Sequence, residues 1–247
     1  MKINTLIYIF STFISFSCVN EESTTEINSF YTASTSDNKI MPLGASRVDT
    51  NRPYFESYRY ELWKLLLSSE LEFDYVGTQN DSSDYSEYLG ETFDVDHEGR
   101  GGWTAEGILS EINTWLDNTD IPDIVLFSAP GGNDALGGVD YNTIISNVNS
   151  IIDILQERNP NITIIIEKPA PVHSSLMTGY INDYFVQLEN DIEDLCLNQT
   201  TSYSQVTYVD MFTDFIDDYL ADDLHYNQDG AQFIANKYYE VLIEILQ

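Results

Sequence analysis

"DIVLFSAPGGNDALGG", residues 123–138, begins with an apolar run that has no alternation and breaks into a small-residue turn carrying Asn133. A continuous run of this kind is the pattern of a parallel strand covered on both faces. "ITIIIEKP", residues 162–169, repeats the pattern. Between the two lies a helical stripe at spacings of three and four, Ile144, Ile145, Val148, Ile151, Ile152 and Leu155, which stops at Arg158-Asn159-Pro160. Strand, helix and strand in this order predict a parallel crossover unit.

Outward from that unit the alternation continues. "KIMPLG" (39–44), "FDYVGT" (73–78) and "QVTYVDMF" (205–212) bring the expected strands to five. Helices are expected over about Tyr54 to Ser69, Ala105 to Asp117 and Leu176 to Asn198. A last one, opened by "NQDG" (227–230), carries Phe233, Ile234, Tyr238, Val241, Leu242 and Ile245. The expected fold is therefore α/β, a three-layer α/β/α, doubly wound (flavodoxin-like) five-stranded parallel sheet, with its site outside the carboxyl ends of the strands.

The 247 residues suit one domain, and an apolar fraction of 43% suffices for a packed core. Ten Lys+Arg against 41 Asp+Glu give a formal charge of -31, a field that repels phosphate backbones and anionic head groups. Nucleic-acid binding is excluded on that ground. The opening "MKINTLIYIFSTFISFSC" has Lys2, an apolar stretch too short for a confident membrane span, and then Cys18. Residues 1–18 read as an export signal with a loose bacterial lipobox, in which Cys18 is acylated. Residues 19–38 read as a flexible acidic tether and residues 39–247 as the folded body, so the protein is expected to be exported, as a cell-envelope lipoprotein or secreted. Cys196, in "IEDLCLNQT", has a core setting and no basic neighbour that would activate it.

Four positions follow an expected strand or precede the last helix: Ser46, Gly102, Asn133 and His225. A serine after a strand is by itself an ordinary turn or cap residue. The glycines of "DHEGRGGWT" could bring backbone N–H groups to a negative oxygen, and the Asn133 amide could donate to one. In "LADDLHYNQDG" Asp222 stands one turn from His225, so a carboxylate could hold one imidazole nitrogen while the other takes a serine proton. Asp223 competes for that role. His97 and His173 lack such a context and read as structural or exposed.

Taken in order, "IMPLGAS", "HEGRGGW", "GGND" and "DDLH" resemble the four blocks of the SGNH, or GDSL, hydrolase family, over about residues 39 to 247. Within it, "IMPLG", "SYRYELW", "FDYVGT" and "DHEGRGGW" are similar to the branch of acetyl xylan esterases and related carbohydrate esterases. The resemblance implies a serine esterase with Ser46 as nucleophile, His225 as general base and Asp222 orienting it. The implied oxyanion hole consists of the N–H groups of Ser46 and Gly102 and the Asn133 amide. Asp134 would hold its loop, and no metal or organic cofactor is implied. One departure is plain: the family's Gly-Asp-Ser is here Gly-Ala-Ser, which leaves open how the turn is braced.

The expected substrate is a small acyl ester, acetyl above all, on a carbohydrate. A lipid or aryl ester, or a carbohydrate-binding surface protein that has lost turnover, are the alternatives. Arg47 and Arg52, rare cations here, are candidates for an acidic substituent. Trp103, Tyr54, Tyr58 and Tyr141 are candidates for stacking.

Overall fold

The computed structural model describes residues 38–246. The export signal with Cys18 and the tether, apart from Asn38, lie outside the described residues. Seven strands form one sheet flanked by helices: β1 (Lys39–Gly44), β2 (Asp74–Tyr75), β3 (Gln79–Asn80), β4 (Asp96–Gly99), β5 (Ile124–Phe127), β6 (Thr163–Lys168) and β7 (Gln205–Asp210). Their order is β3-β4-β1-β5-β6-β7, and β2 pairs with the start of β1.

All five expected strands are present, but the sheet holds two more and is not wholly parallel. β3 runs antiparallel to β4 at the edge. β4 lies parallel to the end of β1, Leu43 opposite Glu98 and Gly44 opposite Gly99. Its sequence, Asp-His-Glu-Gly, carries no apolar signal, and so the segment reads as a loop. His97 and Glu98 are nevertheless buried, with Glu98 held by Thr78 and Arg100.

Among the described residues the α-helices are α1 (Ser46–Asp49), α2 (Arg59–Ser68), α3 (Ala105–Leu116), α4 (Gly132–Leu136), α5 (Tyr141–Arg158), α6 (Gly179–Gln199) and α7 (Gln228–Ile245). Three starts are fixed by local side chains. Thr104, Asp140 and Asn227 each accept from N–H groups in the first turn, of α3, α5 and α7 respectively. The helix expected from Tyr54 starts only at Arg59, because residues 51–56 are drawn into bridges: Asn51 pairs with Phe55 and Glu56 with Tyr226.

The unbroken apolar runs are explained by two cores. Met41, Leu43, Val125, Phe127, Ile164 and Ile166 face one, with α3, α5 and α6; Ile40, Ile124, Leu126 and Ile165 face the other, with α2 and α7. Successive side chains of a strand point to opposite faces, so both sets must be apolar. Each fully buried aliphatic side chain contributes about 1.5–3 kcal/mol relative to exposure.

From β1 the chain builds toward β4, then crosses to β5 and builds the opposite way through β6 and β7. The reversal falls between β1 and β5, and a crevice opens beyond their carboxyl ends. Ser46 follows β1 directly, and Asn133 lies in the short helix after β5.

Candidate active site

Ser46 is the first residue of α1, one step past the Gly44–Ala45 turn. Its hydroxyl oxygen lies 2.9 Å from His225 Nε2. His225 Nδ1 is 2.8 Å from Asp222 Oδ2 and 3.1 Å from Oδ1. A carboxylate can only accept, so Nδ1 carries the proton and Nε2 is left as the acceptor for the serine O–H. Asp222 also accepts from the main-chain N–H groups of Leu224 and His225. Burial acts to raise its pKa, but the hydrogen bond from His225 and those from the main chain outweigh it and hold the carboxyl below the usual range. Asp223 is engaged elsewhere, through its carbonyl, which accepts from the His173 N–H.

Beside Ser46 the turn from Arg100 to Trp103 is held at several points. Arg100 N–H donates to the Gly44 carbonyl, Gly101 N–H to Asp49 Oδ2 at 3.1 Å, and Trp103 N–H to the Arg100 carbonyl. The Asn133 amide donates to the Trp103 carbonyl at 2.7 Å, which leaves its second N–H for another acceptor. Gly102 has φ 79°, a conformation that favours glycine, and a side chain there would meet open space. Among the described residues its N–H donates to none, nor does that of Ser46, which opens a helix. The N–H groups of Ser46 and Gly102 and the second N–H of the Asn133 amide thus have no acceptor among the described residues.

The loop carrying Asn133 is itself under constraint. Ala129 sits at φ 43°, and its N–H is held by Glu167 Oε2 at 2.7 Å, at the end of β6. Glu167 is fully buried, also accepts from Tyr238, and has its pKa raised by that burial. Asp134 behaves as expected of a loop holder: its Oδ2 accepts from Ala105 N–H at 2.7 Å and ties α4 to the start of α3.

Ser46, Arg47 and Asn133 open onto a cavity of about 50 Å³ whose other walls include Ala135, Leu136, Pro169, Val172, Ile181 and Phe185. One largely apolar hollow, one acceptor-activated hydroxyl and N–H donors left free are the parts needed for acyl transfer.

The family model described as GDSL-like lipase/acylhydrolase matches residues 69–233, two thirds of the sequence, and spans Gly102, Asn133, Asp222 and His225. The chain belongs to this acylhydrolase family. The match begins beyond Ser46, but solved structures cover the serine block as well. A serine-to-alanine mutant of an acetyl esterase, solved with an acetate ion, is 30% identical over 85% of this chain and 98% of its own, with a TM-score of 0.72. A family 3 carbohydrate esterase from Talaromyces cellulolyticus has the same values. The family 3 carbohydrate esterase of Clostridium thermocellum is 30% identical over 85% of this chain and 96% of its own, with a TM-score of 0.68. No protein of curated function matches the sequence. The protein is thus an ester-hydrolysing enzyme with a GDSL acylhydrolase fold.

The residues expected to contact a substrate are engaged within the protein to differing degrees. Arg47 lines the cavity beside Ser46, with its guanidinium engaged within the protein. It is 9% exposed, and its guanidinium donates to the carbonyls of Leu224 (2.9 Å), Ala170 (2.6 Å) and Pro171 (3.0 Å). Arg52 is paired with Glu56 at 3.2 Å and lies over the Tyr85 ring at 4.5 Å, which engages its charge within the protein. Trp103 packs on Trp115, with ring centroids 5.1 Å apart, and takes part in the site through its carbonyl. Tyr58 and Tyr141 are buried in the core, whereas Tyr54 is 77% exposed.

Phe55, Asp49 and Glu167 were not legible as site residues. Phe55 lies against the imidazole of His225. Of the three, Glu167 alone left a trace, as a charge ending an otherwise apolar strand.

Proposed function

We propose that this acylhydrolase removes acetyl groups from carbohydrates by a Ser46–His225–Asp222 mechanism. Ser46 Oγ attacks the ester carbonyl as His225 Nε2 takes its proton. The oxyanion receives the N–H groups of Ser46 and Gly102 and the free N–H of the Asn133 amide. The imidazolium, stabilised by Asp222, then gives its proton to the leaving alcohol, and water repeats the sequence to release acetate.

The observation that carries the small acyl group is the cavity beside Ser46. Since a single water needs roughly 10–15 Å³ of such space, about 50 Å³ takes a group of a few atoms. Its walls are apolar, as a methyl group requires. A sugar as the alcohol is supported by the likeness to family 3 carbohydrate esterases. With Arg47 and Arg52 both engaged internally and a formal charge of -31, a neutral substrate fits better than one with a uronate.

The test is acetate release from acetylated xylan and from p-nitrophenyl acetate by wild type and Ser46→Ala, together with a chain-length series from acetyl to octanoyl esters. The reading expects the variant to be inactive and the rate to fall steeply beyond short acyl groups. Equal slow release by both proteins, or a maximum at octanoyl, would refute it. We also place the enzyme at the cell envelope through acylation of Cys18. Incorporation of labelled palmitate that survives Cys18→Ala would contradict that placement.

A further inference from the structure

We infer that the four-residue helix α1 positions both halves of the site, Arg47 holding the base loop and Asp49 the oxyanion turn. The inference rests on the serine-esterase reading of Ser46 and His225. Ala45 has no polar side chain, so the brace of this turn must come from elsewhere.

Arg47 supplies it on one side. Its fork reaches Leu224, the residue before His225, and Ala170 and Pro171, which follow β6. The planar guanidinium has its donors in fixed directions, so three carbonyls bound at once define where the His225 loop lies relative to Ser46. The ring of Tyr226 lies over the same guanidinium at 4.8 Å, which places the residue after His225 against it as well.

Asp49 supplies the brace on the other side, where its Oδ2 accepts from Gly101 N–H, one residue before Gly102. The α1 main chain is fixed in turn by Arg59, which donates to the carbonyls of Val48 (2.8 Å) and Asp49 (3.1 Å) and pairs with Asp81. Arg47 lines the cavity, but the donors of its guanidinium are spent on carbonyls, and neither it nor Asp49 bonds to Ser46 Oγ or the His225 ring, so both are positioning residues.

The test compares Arg47→Ala, Arg47→Lys, Asp49→Ala, Asp49→Asn and Ser46→Ala in the full chain, measuring kcat and KM on p-nitrophenyl acetate. Because a misplacement near 1 Å costs about 10²-fold, Arg47→Ala is expected to lower kcat by about that factor with KM little changed. Added guanidinium ion should restore part of the loss, and Arg47→Lys should fall between. Asp49→Ala should lose about tenfold in kcat. Asp49→Asn should stay near wild type, because its amide oxygen can still accept from Gly101.

Wild-type kcat in Arg47→Ala, a loss confined to KM, or Asp49→Asn falling as far as Asp49→Ala would each overturn the inference. Where Arg47→Ala does not fold, the two Asp49 variants decide. A Ser46→Ala variant as active as wild type would overturn the serine mechanism as well, which separates that failure from failure of the brace alone.

Discussion

The phenyl ring of Phe55 lies flat on the imidazole of His225, with centroids 4.0 Å apart and planes 13° apart. With Asp222 at Nδ1 and Ser46 at Nε2, the ring is held in its plane and from one face. Such a ring pair contributes about 0.5–1.5 kcal/mol. Phe55→Ala should therefore lower kcat/KM on p-nitrophenyl acetate by about 2- to 10-fold, while Phe55→Tyr should stay near wild type. A Phe55→Ala rate equal to wild type would show that the stack does not orient the base.

Asp222 and Asp223 are neighbours with different roles, and mutation should separate them. Asp222→Asn removes the carboxylate charge that would stabilise the imidazolium and lets an amide N–H face Nδ1, which favours the wrong His225 tautomer, and a loss of about 10²- to 10⁴-fold in kcat is expected. The side chain of Asp223 is exposed and only its carbonyl is engaged, so Asp223→Asn should leave kcat within a factor of about two. Equal losses in the two would return the choice of partner to Asp223.

His97 gives a pH dependence of stability. Burial, reinforced by Arg59 and Arg100, lowers its pKa to about 2. In the unfolded chain the same group titrates near the ordinary value of about 6.5. Below that pH the unfolded state binds a proton that the folded state refuses, so stability is lost as the pH falls, by about 1.4 kcal/mol per pH unit. Asn in place of His97 can still accept from Gly99 N–H and cannot titrate. Urea unfolding between pH 6.5 and 4 should therefore be steeper in pH for wild type than for His97→Asn by about one proton. Parallel curves would mean that His97 is protonated in the folded protein.

Cys196 packs in the core beside α5 and β7, and burial, with Glu193 adding to it, pushes its thiol up to about 12. Ellman's reagent at pH 8 should detect no difference between native wild type and native Cys196→Ser, and a difference of one thiol once both are denatured. Rapid labelling of Cys196 in the native protein would show that this core opens.

What the sequence allowed depended on whether a residue's role was local. β5 and β6 were readable because both faces of each strand are buried, so Ile124 to Phe127 and Ile164 to Ile166 had to be apolar without interruption. The Asp222–His225 pair was readable because three residues of spacing is enough to bring them together. β4 was not, because it is stabilised by buried polar groups that imitate a loop. The burial of Arg47 was not legible for a related reason. A cation after a strand suggests a solvent-facing group, and the three carbonyls that bury it come from segments 123 to 177 positions away. Ala45, the visible departure from the family pattern, was a local clue to a non-local arrangement.

The separation between Ser46 and His225 has a consequence for the order in which the protein comes into being. The proposed nucleophile is made early and its proposed base 179 positions later. A chain growing from its amino end already carries the serine, the glycine turn and the asparagine while it has no group to accept the serine's proton. On the proposed mechanism, ester hydrolysis begins only once the connection from β7 to α7, which carries His225, has been made.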